Sequence, residues 1–143
     1  MAAGDAHVVN NFKEQLMLGT INCATNTFKV ALYTDAYASD QIDGAAPAYS
    51  ATNELGVANY VAGGQSIGTA VVAQDDANDR ASWDDDGTDV SWSSLGAGTV
   101  QRAILYDDTT SPKYQCIIWE IGTNPNGGNY TLQFAATGML LLT

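Results

Sequence analysis

The chain has 143 residues and sixteen acidic side chains against five basic ones, for a formal charge of −11. The cations, Lys13, Lys29, Arg80, Arg102 and Lys113, are scattered, so no basic stripe exists to neutralise phosphates, and direct nucleic-acid binding is excluded together with docking on an anionic membrane. A length of 143 residues suits one domain that needs no disulfide or metal staples. A hydrophobic content of 45% with only 15% charged residues leaves solubility to Ser, Thr, Asn, Gln and Asp, the profile of a turn-rich β-protein.

At the N-terminus, Val8, Val9, Phe12, Leu16 and Met17 fall on one face at helical spacing. With Asp5 as N-cap and Gly19 as the stop, they predict a helix over residues 5–18. MAAGDAHVV has neither a basic start nor a long apolar stretch, so the expectation is synthesis in a cytosol without a signal peptide, or release by a route other than secretion. His7, the one histidine, has no Cys, Asp or Glu at metal-ligand spacing and is expected to be solvated near a frayed end.

The period changes to two in TFKVALYT, which predicts a first strand over residues 27–34 with Phe28, Val30 and Leu32 inward and Lys29, Ala31 and Tyr33 outward. Residues 35–65 carry no sustained period and are expected to form an extended arm or Ω-like loop. The remaining strands lie in 66–143, in SIGTAVVAQ, RASWD, DVSWS, TVQRAILYD, KYQCIIWEI, YTLQFA and GMLLLT. Turn signals at Gly63-Gly64, Asp86-Gly87, Asp107-Asp108 with Ser111-Pro112, and NPNGGN separate them. Seven or eight short strands predict an all-β single domain, an antiparallel β-sandwich or jelly roll with a short N-terminal helix.

Within that series, WDDDGTDVSW has two readings. Asp84, Asp86 and Asp89 are the only candidate metal ligands, and calcium is the one cofactor they could take, although the spacing is not that of an EF-hand. Alternatively, Asp86-Gly87 forms a tight type I′ hairpin that sets Asp84 opposite Asp89, Trp83 opposite Val90 and Ala81 opposite Trp92. Cys116, in an apolar run, reads as a small core residue; a Cys23–Cys116 bridge is the alternative, though two cysteines make no disulfide framework.

Catalytic signatures are missing: there is no nucleophile elbow, P-loop or dinucleotide fingerprint, so the expectation is a protein that is not an enzyme, with no catalytic or cofactor-binding residues. Three tryptophans and seven tyrosines could build a sugar-binding platform, but they alternate as core residues do.

Several stretches carry a resemblance: NNFKEQLMLGTIN, TFKVALYTDAY, AYSATNELGVANYVAGGQSI, and DVSW followed by RAILYDD. In this order the chain resembles small virion structural proteins of tailed bacteriophages. The resemblance spans most of the chain through structural motifs, and it offers no functional residues to carry over. It implies a capsid decoration or cement protein on the virion surface, with the major capsid protein and copies of itself, in a trimer for instance, as partners. The alternatives are a tail or fibre component, or a carbohydrate- or calcium-dependent binding module.

Overall fold

The computed structural model describes residues 6–36 and 48–143. In chain order it contains β1 (Ala6–Val8), α1 (Asn10–Met17), β2 (Phe28–Tyr33), β3 (Gln65–Ser66), β4 (Val71–Asp75), β5 (Arg80–Asp84), β6 (Val90–Trp92), β7 (Val100–Asp107), β8 (Gln115–Thr123), β9 (Tyr130–Leu132) and β10 (Leu140–Leu142), with a short 3-10 turn at Asp76–Asn78. The all-β single domain with one short helix is as the patterning predicts. Its strands form three antiparallel sheets, ordered β1-β8-β7-β2-β3, β10-β5-β4 and β6-β9.

The five-stranded sheet is built on β2, β7 and β8. Val100, Arg102, Ala103, Ile104, Leu105, Tyr106 and Asp107 of β7 are all buried, as are Cys116, Ile117, Ile118 and Trp119 of β8, so alternation is lost where both faces are covered. The same holds for β2: Ala31 and Tyr33, expected to point outward, are buried. Pairing of Phe28 with Asp107, Val30 with Leu105 and Leu32 with Ala103 places these residues on one face; Tyr33 with Arg102 and Lys29 with Tyr106 lie on the other. The first face meets the smaller sheets and α1, where Trp83 contacts both Phe28 and Phe12, with ring centroids at 4.8 and 5.6 Å. The second face is covered by residues 48–64.

The N-terminal expectation is corrected in part. Residues 6–8 are not helical but form β1, with Ala6, His7 and Val8 paired to Trp119, Ile118 and Ile117. Val8 and Val9 are β-branched and gain more on a sheet edge than in a first helical turn. The helix starts at Asn10, with Val9 as an extended, fully buried N-cap residue; Asp5 lies outside the described residues. Gly19 stops the helix as expected, at φ +72°: its N–H bonds the Leu16 carbonyl while Thr20 N–H bonds that of Gln15.

One further expectation fails. The type I′ hairpin does not form, because Gly87 has a positive φ of 85° while Asp86 does not. Instead Trp83 pairs with Val72 and Leu140, Ala81 with Gln74 and Leu142, and Trp92 with Tyr130. The separation removes the Asp84–Asp89 opposition that a hairpin would impose, and β5 gains partners on both edges. Cys116 is fully buried, the small core residue its apolar run predicts, and both it and the half-buried Cys23 are free, so the alternative of a Cys23–Cys116 bridge is ruled out.

Gly64 is the tightest point between the covering segment and the sheet. It adopts φ +72°, and an added Cβ would lie 1.8 Å from the Val30 carbonyl oxygen. Gly122 has the same φ but open space around it. Gly64→Ala should therefore cost at least about 3 kcal/mol by chemical denaturation, against about 1–2 kcal/mol for Gly122→Ala. Equal costs would show that the close approach at Val30 does not matter.

Candidate functional site

The aspartates of the 84–89 turn act locally. Asp84 Oδ1 accepts the Asp85 N–H at 3.0 Å, and the Asp86 carboxylate accepts Thr88 N–H at 3.2 Å and Thr69 N–H at 3.4 Å. Asp89 Oδ1 faces elsewhere, accepting the Phe134 N–H at 3.3 Å. The three candidates are thus turn caps on different backbone segments. Among the described residues, no group of three or more His, Cys, Asp or Glu side chains could hold a metal ion. Hydrogen bonds from Thr88 and Thr69 hold the Asp86 carboxyl below the usual range. Asp85, not singled out from the sequence, is the buried member: burial raises its carboxyl above the usual range, the Gly87 N–H opposes this, and Asp84, Asp89 and Asp86 add to it.

A denser polar constellation lies where the sequence reading placed a loop. Of residues 35–65, positions 37–47 lie outside the described residues, and 48–64 form a strap against the sheet rather than a projecting arm. Isolated bridges join Ala48 to Tyr114 and Glu54 to Tyr33, and Leu55 N–H bonds the Leu32 carbonyl at 2.8 Å. Glu54 is the hub. Its Oε1 accepts the Tyr60 hydroxyl at 2.6 Å and the Gly63 N–H at 2.7 Å, and its Oε2 accepts the Tyr49 hydroxyl at 2.7 Å.

Tyrosines extend the hub into the sheet. Tyr49 stacks on Tyr106 with centroids 4.5 Å apart and rings inclined by 20°. Tyr106 donates its hydroxyl to the Gly63 carbonyl and Tyr33 donates to that of Ser50, each at 2.8 Å, while Tyr60 Oη accepts the Leu32 N–H at 3.0 Å. Burial and the Glu54 carboxylate push the Tyr49 hydroxyl up to about 12, and the same two causes raise Tyr60 and Tyr33 further. These phenols stay protonated donors, so the cluster is suited to holding structure and unsuited to supplying a base. Glu54, Tyr60, Gly63 and Gly64 all lie in the stretch AYSATNELGVANYVAGGQSI that carries the resemblance, whose spacing alone does not show that they converge.

Charged groups nearby are also tied down. Arg102, 5% exposed, lies over the Tyr33 ring at 4.3 Å and bonds both Asp35 oxygens through Nη2, at 3.1 and 3.0 Å. His7 was expected to be solvated at a frayed end; it sits half-buried in β1 with Nε2 3.4 Å from Glu120 Oε1. Strand pairing with β8 is what orders it.

The remaining feature is apolar. A groove of about 370 Å³ opens between the α1–β2 connection and the three-stranded sheet, lined by Leu16, Ile21, Cys23, Val72, Trp83 and Leu142 among others. A second, of about 380 Å³, lies beside it between Val8, Leu16, Met17 and β10. Burial and then the Asp107 charge push the Cys23 thiol up to about 11, so it lines the groove as a protonated, weakly nucleophilic group. No helix among the described residues is long and apolar enough to cross a membrane.

No family model, no curated protein and no solved structure matches this chain.

The hub predicts a pH response. Tyrosines whose folded pKa lies above the unfolded value of 10 contribute stability that is complete below pH 10 and is lost as pH rises through about 12. The melting temperature should therefore fall steeply above pH 10, with tyrosinate absorbance appearing mainly on unfolding. Glu54→Ala should cost about 2–4 kcal/mol at neutral pH by leaving two hydroxyls and an N–H unpaired. Titration of all the tyrosines near pH 10 in the folded protein would contradict the hub.

Proposed function

We propose that this protein is a non-enzymatic structural component of a bacteriophage particle, a decoration protein that binds the outer surface of the head and stabilises its lattice. The observation that carries this reading is the placement of the residues behind the resemblance. Tyr49, Glu54, Tyr60, Gly63 and Gly64 tie one segment of chain across a central sheet, which is what a fold-defining motif does and a catalytic one does not. An acidic body with an apolar face is compatible with docking on a protein lattice, and the scarcity of cations argues against a role on packaged nucleic acid. The partners in this reading are the major capsid protein and further copies of this chain.

The test is co-sedimentation with purified heads of the phage that carries the protein, before and after stripping. Saturation at a fixed ratio to the major capsid protein is expected, with a higher temperature of DNA release from decorated heads. Absence of binding to stripped heads, or labelling of tails alone in electron micrographs, would refute it.

A further inference from the structure

One face of the molecule combines a knob with a hollow. Met17 and Leu18, at the end of α1, are 83% and 68% exposed, and beside them lie the two apolar grooves, with Val72 and Leu142 exposed on their walls. Among the described residues no Asp or Glu lines either groove, on a chain that carries sixteen of them. Exposed apolar side chains gathered on one face are unusual for a soluble monomer and mark a contact surface.

Charge decides what the surface takes. A second copy of a −11 chain is repelled from most approaches, and least where carboxylates are missing. The only charges of α1, Lys13 and Glu14, are exposed one turn before Met17, on either side of it. A two-fold axis near Met17 would set antiparallel helices together and bring Lys13 of each copy to Glu14 of the other. Beside the groove, β4 is an open edge strand with no charge, Pro or bulge from Val71 to Gln74, so it lacks the usual guards against pairing.

We propose that this face docks a second copy of the chain isologously, with Met17 and Leu18 of each copy seated in the partner's groove lined by Leu16, Cys23 and Leu142. Knob, hollow and both charges lie on one patch, which is the requirement for a self-complementary contact. The contact closes at two copies. It stands independently of the capsid reading, since the assay below contains no capsid.

Light scattering of the full chain up to about 100 µM should approach twice 15.0 kDa. Met17→Glu and Leu142→Asp alter exposed side chains, so each should yield a monomer with unchanged circular dichroism and, at concentrations low enough for the wild type to be monomeric too, an unchanged melting temperature. Lys13→Glu should weaken the dimer about tenfold, and Lys13→Glu combined with Glu14→Lys should restore it. Cys23, in the groove, should be protected from maleimide in the dimer and not in Met17→Glu; fully buried Cys116 stays silent in both. A monomer throughout, a trimer, or a dimer indifferent to Met17→Glu would overturn the proposal. So would uptake of an amphipathic peptide or a fatty acid in the groove without self-association.

Discussion

Glu54 gathers the Tyr49 hydroxyl, the Tyr60 hydroxyl and the Gly63 N–H around one half-buried carboxylate, and the closure of the central sheet depends on that gathering. Charge-assisted bonds of this kind are roughly twice as strong as neutral ones. Without them, residues 48–64 would be held by the Tyr49, Leu55 and Thr34 backbone bonds, the Tyr33 and Tyr106 hydroxyls on the Ser50 and Gly63 carbonyls, and the Tyr49–Tyr106 stack. The consequences reach the opposite end of the segment. Gly63 and Gly64 must adopt positive φ for the chain to return along Val30, and only glycine allows that approach.

Closing the second face of the sheet explains why β2 and β7 are buried on both sides in a chain of only 143 residues. The strap serves as one layer; α1, Trp83 of β5 and the small β6-β9 sheet serve as the other. That second layer is less complete. The three-stranded sheet touches the core through Trp83 but leans away from the 16–24 segment, leaving an apolar hollow whose walls face solvent. The two sides of the molecule therefore differ in kind: one is sealed by polar ties, the other is open and apolar. At the hub the Glu54 carboxylate and the hydroxyls of Tyr33, Tyr49, Tyr60 and Tyr106 are all engaged in hydrogen bonds.

Much of this was legible in the residues. Every strand after residue 65 was foreseen within a few positions, because alternation in YTLQFA and the apolar run in KYQCIIWEI report burial directly. The helix stop at Gly19 was equally visible. Strand partners were not. Asp86-Gly87 looked like a hairpin from local turn chemistry, but β5 pairs instead with β4, the strand before it across the Asp76–Asn78 turn, and with β10, which is distant in sequence and about which local signals carry no information. The Glu54 hub was hidden for a related reason: Tyr49, Glu54, Tyr60 and Gly63 have no periodicity, and their convergence depends on the path of the strap over Tyr33 and Tyr106. The motif was conspicuous as a string, and its meaning emerged only in three dimensions.

The central claim is that the strap is part of the core fold rather than a loop resting on it. Native-state hydrogen exchange of the wild-type chain tests this most directly. The N–H groups of Tyr49, Thr34 and Leu55, which bond Lys113, Asn53 and Leu32 across the strap–sheet boundary, should exchange within about tenfold of Ile104 and Ile118 in the sheet centre, as one cooperative unit. Exchange of those three amides about a thousandfold faster than the sheet centre would mean that the strap opens by itself, and would contradict the account.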